Sequence, residues 1–495
     1  MASVTPPVAH AYPPSPATPS QIRILTLNCW GLKFIAKYRH ERLSEIGRQL
    51  ALSDPPPEIV GLQECWTQKD YESIRDQTSH ILPYGKFYFG GIFGAGLAIL
   101  SKWPIEESSM VAYPLNGRPT AFFRGDWFVG KGVACARIRF GPGAQDVAEV
   151  FCTHLHAPYE KEPNDSYICH RTAQAWEISK LMRGAAERGH LVIGLGDFNM
   201  IPSSFAHQLI LAHSPVKDAW QCLHPDSSLG AAIDTVEQKR GRPMPTASFN
   251  IVENGTTCDS AFNTWRWSKA LQKKLDKGEN VTIADDVPDP RAKRLDYIFV
   301  GDGRNASFPK PRWAVSEARM SMTQRHPTLQ CSLSDHFAVE ALITRVPDST
   351  DAPSENNNTN TNTNDNSNTP QEPSMLTPLT PDTYELILDM IHKYVQRERS
   401  QRRWRLAHFL LSVFVSIGCF IGVWWTGHHL AYVAFILMIV STLSFGAGIL
   451  DGLIGGFFVS SELRALKEFE WEVRNAKRIA EDFAAVGVKE KITGV

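Results

Sequence analysis

Six apolar stretches of the chain end or begin with residue types that hold metals or move protons. Asn28 closes RILTLNCW, Glu64 closes IVGLQEC, His154 and His156 close VFCTHLHA, and Asp197 and Asn199 close LVIGLGDFN. Asp296 lies in RLDYIFV, and Asp335 with His336 precedes FAVEAL. One such residue alone reads as a cap on the next element; six together read as parts of one site. Phosphoester hydrolysis needs this inventory, because a phosphodiester repels nucleophiles through its anionic oxygens and a hard divalent cation removes much of that barrier. Mg²⁺ takes carboxylate oxygen and keeps several waters, so one or two carboxylates suffice. Glu64 is the candidate principal ligand, with Asn28 beside it through its amide oxygen or a bound water, and Mn²⁺ is the natural substitute ion. The attacking water needs a base with a near-neutral pKa, which points to His336. Asp335, its chain neighbour, faces the opposite way in an extended segment. Asp296 is therefore the better partner to orient His336, and Asp335 is left to face the metal or its waters. Charge developing on the phosphoryl oxygens calls for donors, for which His154 and Asn199 fit. Asp197 would orient the water or hold a second metal. His156 is given no direct part in the chemistry.

The elements that must position these residues are strands joined by helices. Strand-like runs cover Arg23–Trp30, Glu58–Cys65, Gly96–Ser101, Gly132–Phe140, Glu149–His156, Leu191–Asn199, Leu295–Val300 and Phe337–Leu342. Helical periodicity occupies Glu41–Ala51 and His170–Arg188. The mixture predicts an α/β architecture built on sheets. The nine cysteines are scattered without a C-x-x-C pair, which argues against a structural zinc or a disulfide scaffold and for a reducing compartment. Gly125–Lys131 matches G-x-x-x-x-G-K, but Gly132 follows where a nucleotide-binding loop needs Ser or Thr, and no strand leads into it.

The ordered set LNCW, LQE, THLH, GDFN, LDYIF and SDH resembles the DNase I-like endonuclease/exonuclease/phosphatase superfamily over nearly all of residues 21–346. The resemblance implies a DNase I-like four-layer α/β sandwich. It also implies Asp296 as the orienting carboxylate of His336, and His154 and Asn199 as donors to the phosphoryl group. Within the superfamily, LNCWGL, QECW, THLHA and the paired apolar C-terminal runs look most like neutral sphingomyelinases and inositol phosphosphingolipid phospholipases C. By that similarity the stretch Gly125–Lys131 contributes to activity, with Asp126 and Lys131 on the substrate side. A glycine-rich turn before a strand explains the same residues without any substrate role.

Outside 21–346 the composition shifts. Residues 1–20 hold six prolines and no charged side chain, so they form no secretory signal and read as a disordered arm. Residues 347–382 are rich in Asn, Thr and Pro and nearly free of bulky apolar groups, which predicts a flexible linker. A basic segment at 383–405 follows, and between Lys393 and Arg405 it carries six Lys or Arg residues against Glu398. Leu406–Thr426 and Leu430–Leu450 lack Asp, Glu, Lys and Arg, and each would span about 31 Å as a helix. They predict a two-helix transmembrane hairpin. The positive-inside rule then places the catalytic domain and both termini in the cytosol, on the endoplasmic reticulum or another intracellular membrane. A tail helix at 461–495 repeats Leu466, Phe469, Val473, Ala476, Ala480 and Phe483 at spacings of three and four. That seam could pack on its own domain, pair with a second copy, or lie on the membrane.

Net charge of −1 argues against a nucleic-acid binder. An enzyme tethered to a membrane meets lipid at high effective concentration. The reading is a Mg²⁺-dependent phospholipase C that hydrolyses membrane phosphosphingolipids to ceramide and a phosphorylated head group. Anionic phospholipids, drawn to the basic segment, are the candidate activators. A phosphoinositide phosphatase is the nearest rival; a nuclease of the same fold and a lipid-binding pseudoenzyme are the others.

Overall fold

A computed structural model of the chain describes residues 17–160, 164–279, 281–305, 307, 312–346 and 379–493. Residues 1–16 of the expected arm and 347–378 of the expected linker lie outside them. The chain forms two compact units, and these do not follow chain order. The first comprises Met1–Ala112, Lys131–Leu155 and Ala175–Thr377; the second comprises Tyr113–Gly130, His156–Gln174 and Pro378–Val495.

Twelve strands build the first unit: β1 Gln21–Asn28, β2 Ile59–Gln63, β3 Tyr84–Tyr88, β4 Leu97–Ser101, β5 Ile105–Ala112, β6 Gly132–Arg139, β7 Val147–His154, β8 Leu191–Asp197, β9 Lys217–Asp218, β10 Asp296–Gly301, β11 Trp313–Ser321 and β12 Ala338–Arg345. They form two six-stranded sheets, ordered β11-β12-β1-β2-β4-β3 and β5-β6-β7-β8-β10-β9. Alternation along the strands fixes the layers, because successive side chains face opposite ways. Ile22 and Ile24 of β1, Ile59 of β2 and Ile99 of β4 join Ala134, Val150, Ile193 and Ile298 of the other sheet in one core. Leu25, Leu27, Val60, Leu62 and Leu100 point the other way, onto Leu43, Ile46, Leu50 and Ile74 of helices Arg39–Ala51 and Gln68–Thr78. The sheets approach closely at Gly61, where a Cβ would collide with Leu195.

The eight apolar runs of the sequence are the inner strands of this sandwich. The four strands that hydrophobicity does not reveal, β3, β5, β9 and β11, are the four sheet edges. Edge strands are covered less and carry charge to discourage further pairing; β5 reads IEESSMVA and is largely exposed.

In the second unit, helix Pro381–Trp424 carries the basic segment and the first apolar run without a break. Thr380 caps it by accepting from Thr383 N–H, and Pro381 sits where a missing N–H costs nothing. Helix Ala431–Leu453 returns, a π-helical turn at Ile454–Phe458 follows, and helix Val459–Thr493 completes the unit. Both apolar helices are long and apolar enough to cross a membrane. They meet through small residues: Ser416 Oγ donates to the Ser441 carbonyl at 3.2 Å, and Gly448 sits against Ser412. The tail seam packs on its own chain. Leu466, Phe469, Val473, Ala476 and Ala480 are buried, as are Tyr384, Ile387, Leu388 and Ile391 of the first helix, while Phe483 stays exposed. The pairs His392–Glu470 and Lys477–Glu385 hold the two helices antiparallel.

Glu398 is fully buried in this unit, and neither carboxylate oxygen has a hydrogen-bond partner. It faces Glu462, Arg118 at 4.0 Å, Arg397 at 3.7 Å and, further off, Arg405. Tyr394 donates to Glu462 at 2.7 Å, and His170 lies 3.2 Å from the same oxygen. Burial, and then the Glu462 charge, push Glu398 up to about 8, against the pull of Arg118. The folded state therefore keeps a proton that an unfolded glutamate releases near pH 4.3. This contribution to stability is complete below the unfolded pKa and is lost as pH rises through about 8. Amide exchange across 384–398 and 462–476 should accelerate between about pH 5 and about pH 8, beyond the intrinsic base catalysis. Glu398→Gln should flatten that dependence; an unchanged pH profile in the variant would exclude Glu398 as its source.

Candidate active site

Strand direction brings the candidate residues to one end of the sandwich. Asn28 and Glu64 lie at the carboxyl ends of the parallel pair β1 and β2, and His154 and Asp197 at those of β7 and β8. Asp296 and His336 lie instead at the amino ends of β10 and β12. Those strands run antiparallel to β8 and β1, so their beginnings meet the other strands' ends. The backbone bends sharply there. Trp30, Glu64 and Asn199 adopt φ of 47°, 52° and 47°, a conformation costly for residues other than glycine.

Asn28 is buried at the centre. Its amide nitrogen donates to Glu64 Oε1 at 3.2 Å and to Asp197 Oδ2 at 3.0 Å, while its oxygen accepts from Trp30 N–H at 3.0 Å. Asn28 thus joins Glu64 to Asp197, with its nitrogen rather than its oxygen toward the acids. Trp66 Nε1 reaches Glu64 Oε2 at 3.5 Å. Asp197 also accepts from Asn199 N–H at 2.9 Å, and His154 Nε2 lies 3.5 Å from its other oxygen. Burial, and then the Asp296 charge, push Asp197 up to about 7. Asp335 is pushed up to about 6 by burial and by Glu64, against the opposing charge of His336.

His336 Nδ1 lies 2.7 Å from Asp296 Oδ2, and both groups are buried. Burial works against a charged His336, but Asp296 and the Cys258 thiol outweigh it and hold its pKa well above the ordinary value. His154 moves the other way: burial, Lys131 and His336 hold it well below the ordinary value, so it is neutral. Lys131 donates to the His154 and Leu155 carbonyls at 3.3 and 3.2 Å. Asp126 belongs to the second unit, where it accepts from Tyr159 Oη at 2.8 Å and lies 3.7 Å from His156 Nε2. The His156 ring stacks on Tyr167 at 3.7 Å.

Several positioning groups have no signature in the sequence. Ser334 Oγ donates to the Asn28 carbonyl at 2.6 Å and accepts from His336 N–H at 3.2 Å, stapling β1 to the start of β12. Thr257 Oγ1 accepts from Asp296 N–H at 3.3 Å. Arg42, on a helix that reads as amphipathic, is fully buried; it donates to the carbonyls of Cys29, Trp30 and Leu333 and stacks on Trp30.

Two facing sheets with this histidine- and carboxylate-lined cleft at one end define a DNase I-like phosphoester hydrolase fold. The model of the Endonuclease/Exonuclease/phosphatase family matches residues 25–336, and the chain belongs to that family. It is 38% identical over 464 residues to an inositol phosphosphingolipids phospholipase C of Schizosaccharomyces pombe, covering 94% of this chain and 96% of the relative. The Saccharomyces cerevisiae protein of the same name is 31% identical over 484 residues, covering 93% and 91%. A putative neutral sphingomyelinase of Caenorhabditis elegans is 32% identical over 329 residues, covering 66% and 67%.

The geometry separates the two aspartates near His336. His336→Ala should lower turnover by about two to four orders of magnitude, the usual weight of a positioned base. Asp296→Asn should show most of that loss, and Asp335→Asn should act mainly through metal dependence. A crippled Asp335→Asn with a mild Asp296→Asn, measured by turnover at saturating metal, would reverse the assignment.

Proposed function

We propose that the chain is a membrane-anchored, divalent-metal-dependent phospholipase C that hydrolyses phosphosphingolipids to ceramide and a phosphorylated head group. The observation that carries the reading is the end-to-end likeness to the yeast enzymes, which runs through the catalytic cleft and the apolar helices alike.

The donor set suits Mg²⁺ or Mn²⁺. The Glu64 charge raises the proton affinity of Asp335, and like charges held this close favour a hard cation between them. Glu64 and Asp335 would hold it, with Asn28, whose oxygen is turned to the Trp30 N–H, beside it through a bound water. When bound, the ion supplies charge neutralisation at a phosphoryl oxygen. Asp197, Asp296 and His336 also lie close enough together to share an ion. An ion there would compete for the His336–Asp296 pair, so the base role argues for the Glu64 side.

His336 does the proton work. Asp296 fixes Nδ1 as the donor nitrogen and raises the basicity of Nε2, which takes a proton from water when His336 is in its neutral form. The imidazolium that results is stabilised by the same carboxylate. Neutral His154 and the Asn199 amide are donors for phosphoryl oxygens, and they carry no charge that would bind substrate and transition state equally. Asp197 holds Asn28 and Asn199 in place and orients the attacking water. Lys131 supports the His154 end, and Asp126 and Lys131 are the candidate residues on the head-group side.

The hairpin would sit in an intracellular membrane, such as the endoplasmic reticulum, with the catalytic unit and both termini in the cytosol. Anionic phospholipids would draw in the basic stretch before the first span.

Chelation by EDTA should abolish head-group release, Mg²⁺ should restore it, and Glu64→Ala should be inactive while folded. A panel of sphingomyelin, inositol phosphorylceramide, phosphoinositides and abasic DNA tests the substrate class. Release from the phosphoinositides or the DNA alone would overturn it. Protease added to sealed microsomes should remove the catalytic unit and the tail beyond Ser460 while the hairpin stays protected; a protected catalytic unit would invert the topology.

A further inference from the structure

Two loops at the catalytic end of the first unit expose large apolar side chains. The loop after β1 carries Phe34, 92% exposed, and Ile35, 68% exposed. The loop between β3 and β4 carries Phe89, 67% exposed, and Ile92, 75% exposed. Both loops leave the sheet at the end that bears Asn28 and Glu64, because β1 and β2 run parallel while β4 runs antiparallel to β2 and to β3. Single exposed apolar residues are ordinary; two tips of them around one cleft mark a contact surface.

The charge pattern says which surface. Residues 29–38 include the exposed Lys33 and Lys37 and no carboxylate, and residues 88–99 carry no charge of either sign. Aromatic and aliphatic tips flanked by lysine match the interfacial zone of a bilayer with anionic lipid. A glycine-rich, uncharged tip such as Phe89-Gly-Gly-Ile offers few of the hydrogen-bonding groups that a protein partner would pair.

The second loop is also wired to the metal carboxylate. Cys65 N–H donates to the Gly96 carbonyl at 3.0 Å. Gly96 has φ of +65°, and a Cβ there would lie 3.1 Å from the Trp66 ring, whose Nε1 reaches Glu64. The loop therefore rests on both residues that follow Glu64.

We propose that Phe34–Ile35 and Phe89–Ile92 form a membrane-inserting rim around the catalytic cleft, through which the first unit docks on the bilayer that holds its substrate. This rests on the phosphosphingolipid reading above and adds the surface by which the cleft meets the lipid. Docking would hold the 89–96 loop against Trp66 and present Glu64 to head groups at the interface.

The full chain, reconstituted into phosphatidylcholine–phosphatidylserine vesicles, tests it without requiring turnover. p-Benzoylphenylalanine placed at position 34 or 92 should photocross-link to lipid. At position 107 on β5, where the glutamate side chain is 74% exposed, it should not. Cross-links from 34 and 92 to protein alone, or none to lipid, would overturn the proposal. Phe34→Ser with Ile35→Ser, and Phe89→Ser with Ile92→Ser, should each lower turnover of vesicle substrate at least about tenfold, since each removes two large apolar anchors. Turnover of a short-chain, monomeric phosphosphingolipid should be unchanged. Equal losses on both substrates would mean that the loops serve the cleft rather than the membrane. A wild-type chain inactive on both substrates would refute the phospholipase reading and leave the lipid cross-links to decide the rim.

Discussion

Four carboxylates, from Glu64, Asp197, Asp296 and Asp335, occupy one end of the sandwich, and the cost of crowding like charges out of water governs what surrounds them. Asp197 and Asp335 are already displaced to about 7 and about 6. Each remaining neighbour reduces the repulsion in its own way. The Asn28 amide donates to Glu64 and Asp197 together, and His336 pairs with Asp296. Arg42 lies buried behind Cys29, Trp30 and Leu333 and lends its charge to Asp335. A divalent cation is the remaining term. Such a site cannot be built on one loop. It needs strand ends from both sheets at close range, and the bare Gly61 under Leu195 is where the sheets come together.

The same electrostatics explains why much of the site could be read from sequence. A carboxylate, histidine or asparagine at the end of a buried strand interrupts an apolar run, so Asn28, Glu64, His154, Asp197, Asp296 and His336 stand out against their flanks. The inner strands stand out for the same reason, being apolar on both faces. What was hidden follows other rules. The edge strands are short or largely exposed, so they carry too few buried apolar residues to stand out. Ser334 and Thr257 act through single hydroxyl groups, and nothing in SDH or in TTC separates them from surface residues. Arg42 sits in RHERLSEIGRQLA, where a charged residue ordinarily faces water, and only the fold turns it inward to four carbonyls. Nor does the sequence show that residues 113–130 and 156–174 belong with the C-terminal helices. That grouping depends on long-range contacts with no local pattern.

In the second unit, one continuous helix joins the tail seam to the first apolar span. Its first half is held by Leu466, Phe469 and Val473, with a polar interior of Tyr394, Glu462 and His170. Arg118, from the segment 113–130, meets Glu398 of this helix, and Arg405 donates to the Thr120 carbonyl at 3.0 Å. The stretch that contains Asp126 is therefore anchored, within this unit, to the helix that carries the first apolar run. Buried glutamates are a poor source of stability even where cations or hydroxyl groups face them. Their retention here makes more sense as a way to fix one arrangement of that helix against the 113–130 segment.

Substrate class can also be weighed by where the cations are committed. A polynucleotide is bound along many phosphates, and a protein that tracks one needs a row of free basic side chains. Four cations near the candidate residues in the chain are engaged elsewhere. Lys131 donates to two backbone carbonyls. Arg266 and Lys293 both pair with Asp259, one residue from Cys258, whose backbone bridges to His336. Arg294 is buried on Asp218. Beside them the cleft presents uncharged groups, His154 and the Asn199 amide, which donates to the Leu155 carbonyl and to Asp197. These four cations do not make a free basic track, which suits a single lipid phosphodiester better than a chain of phosphates.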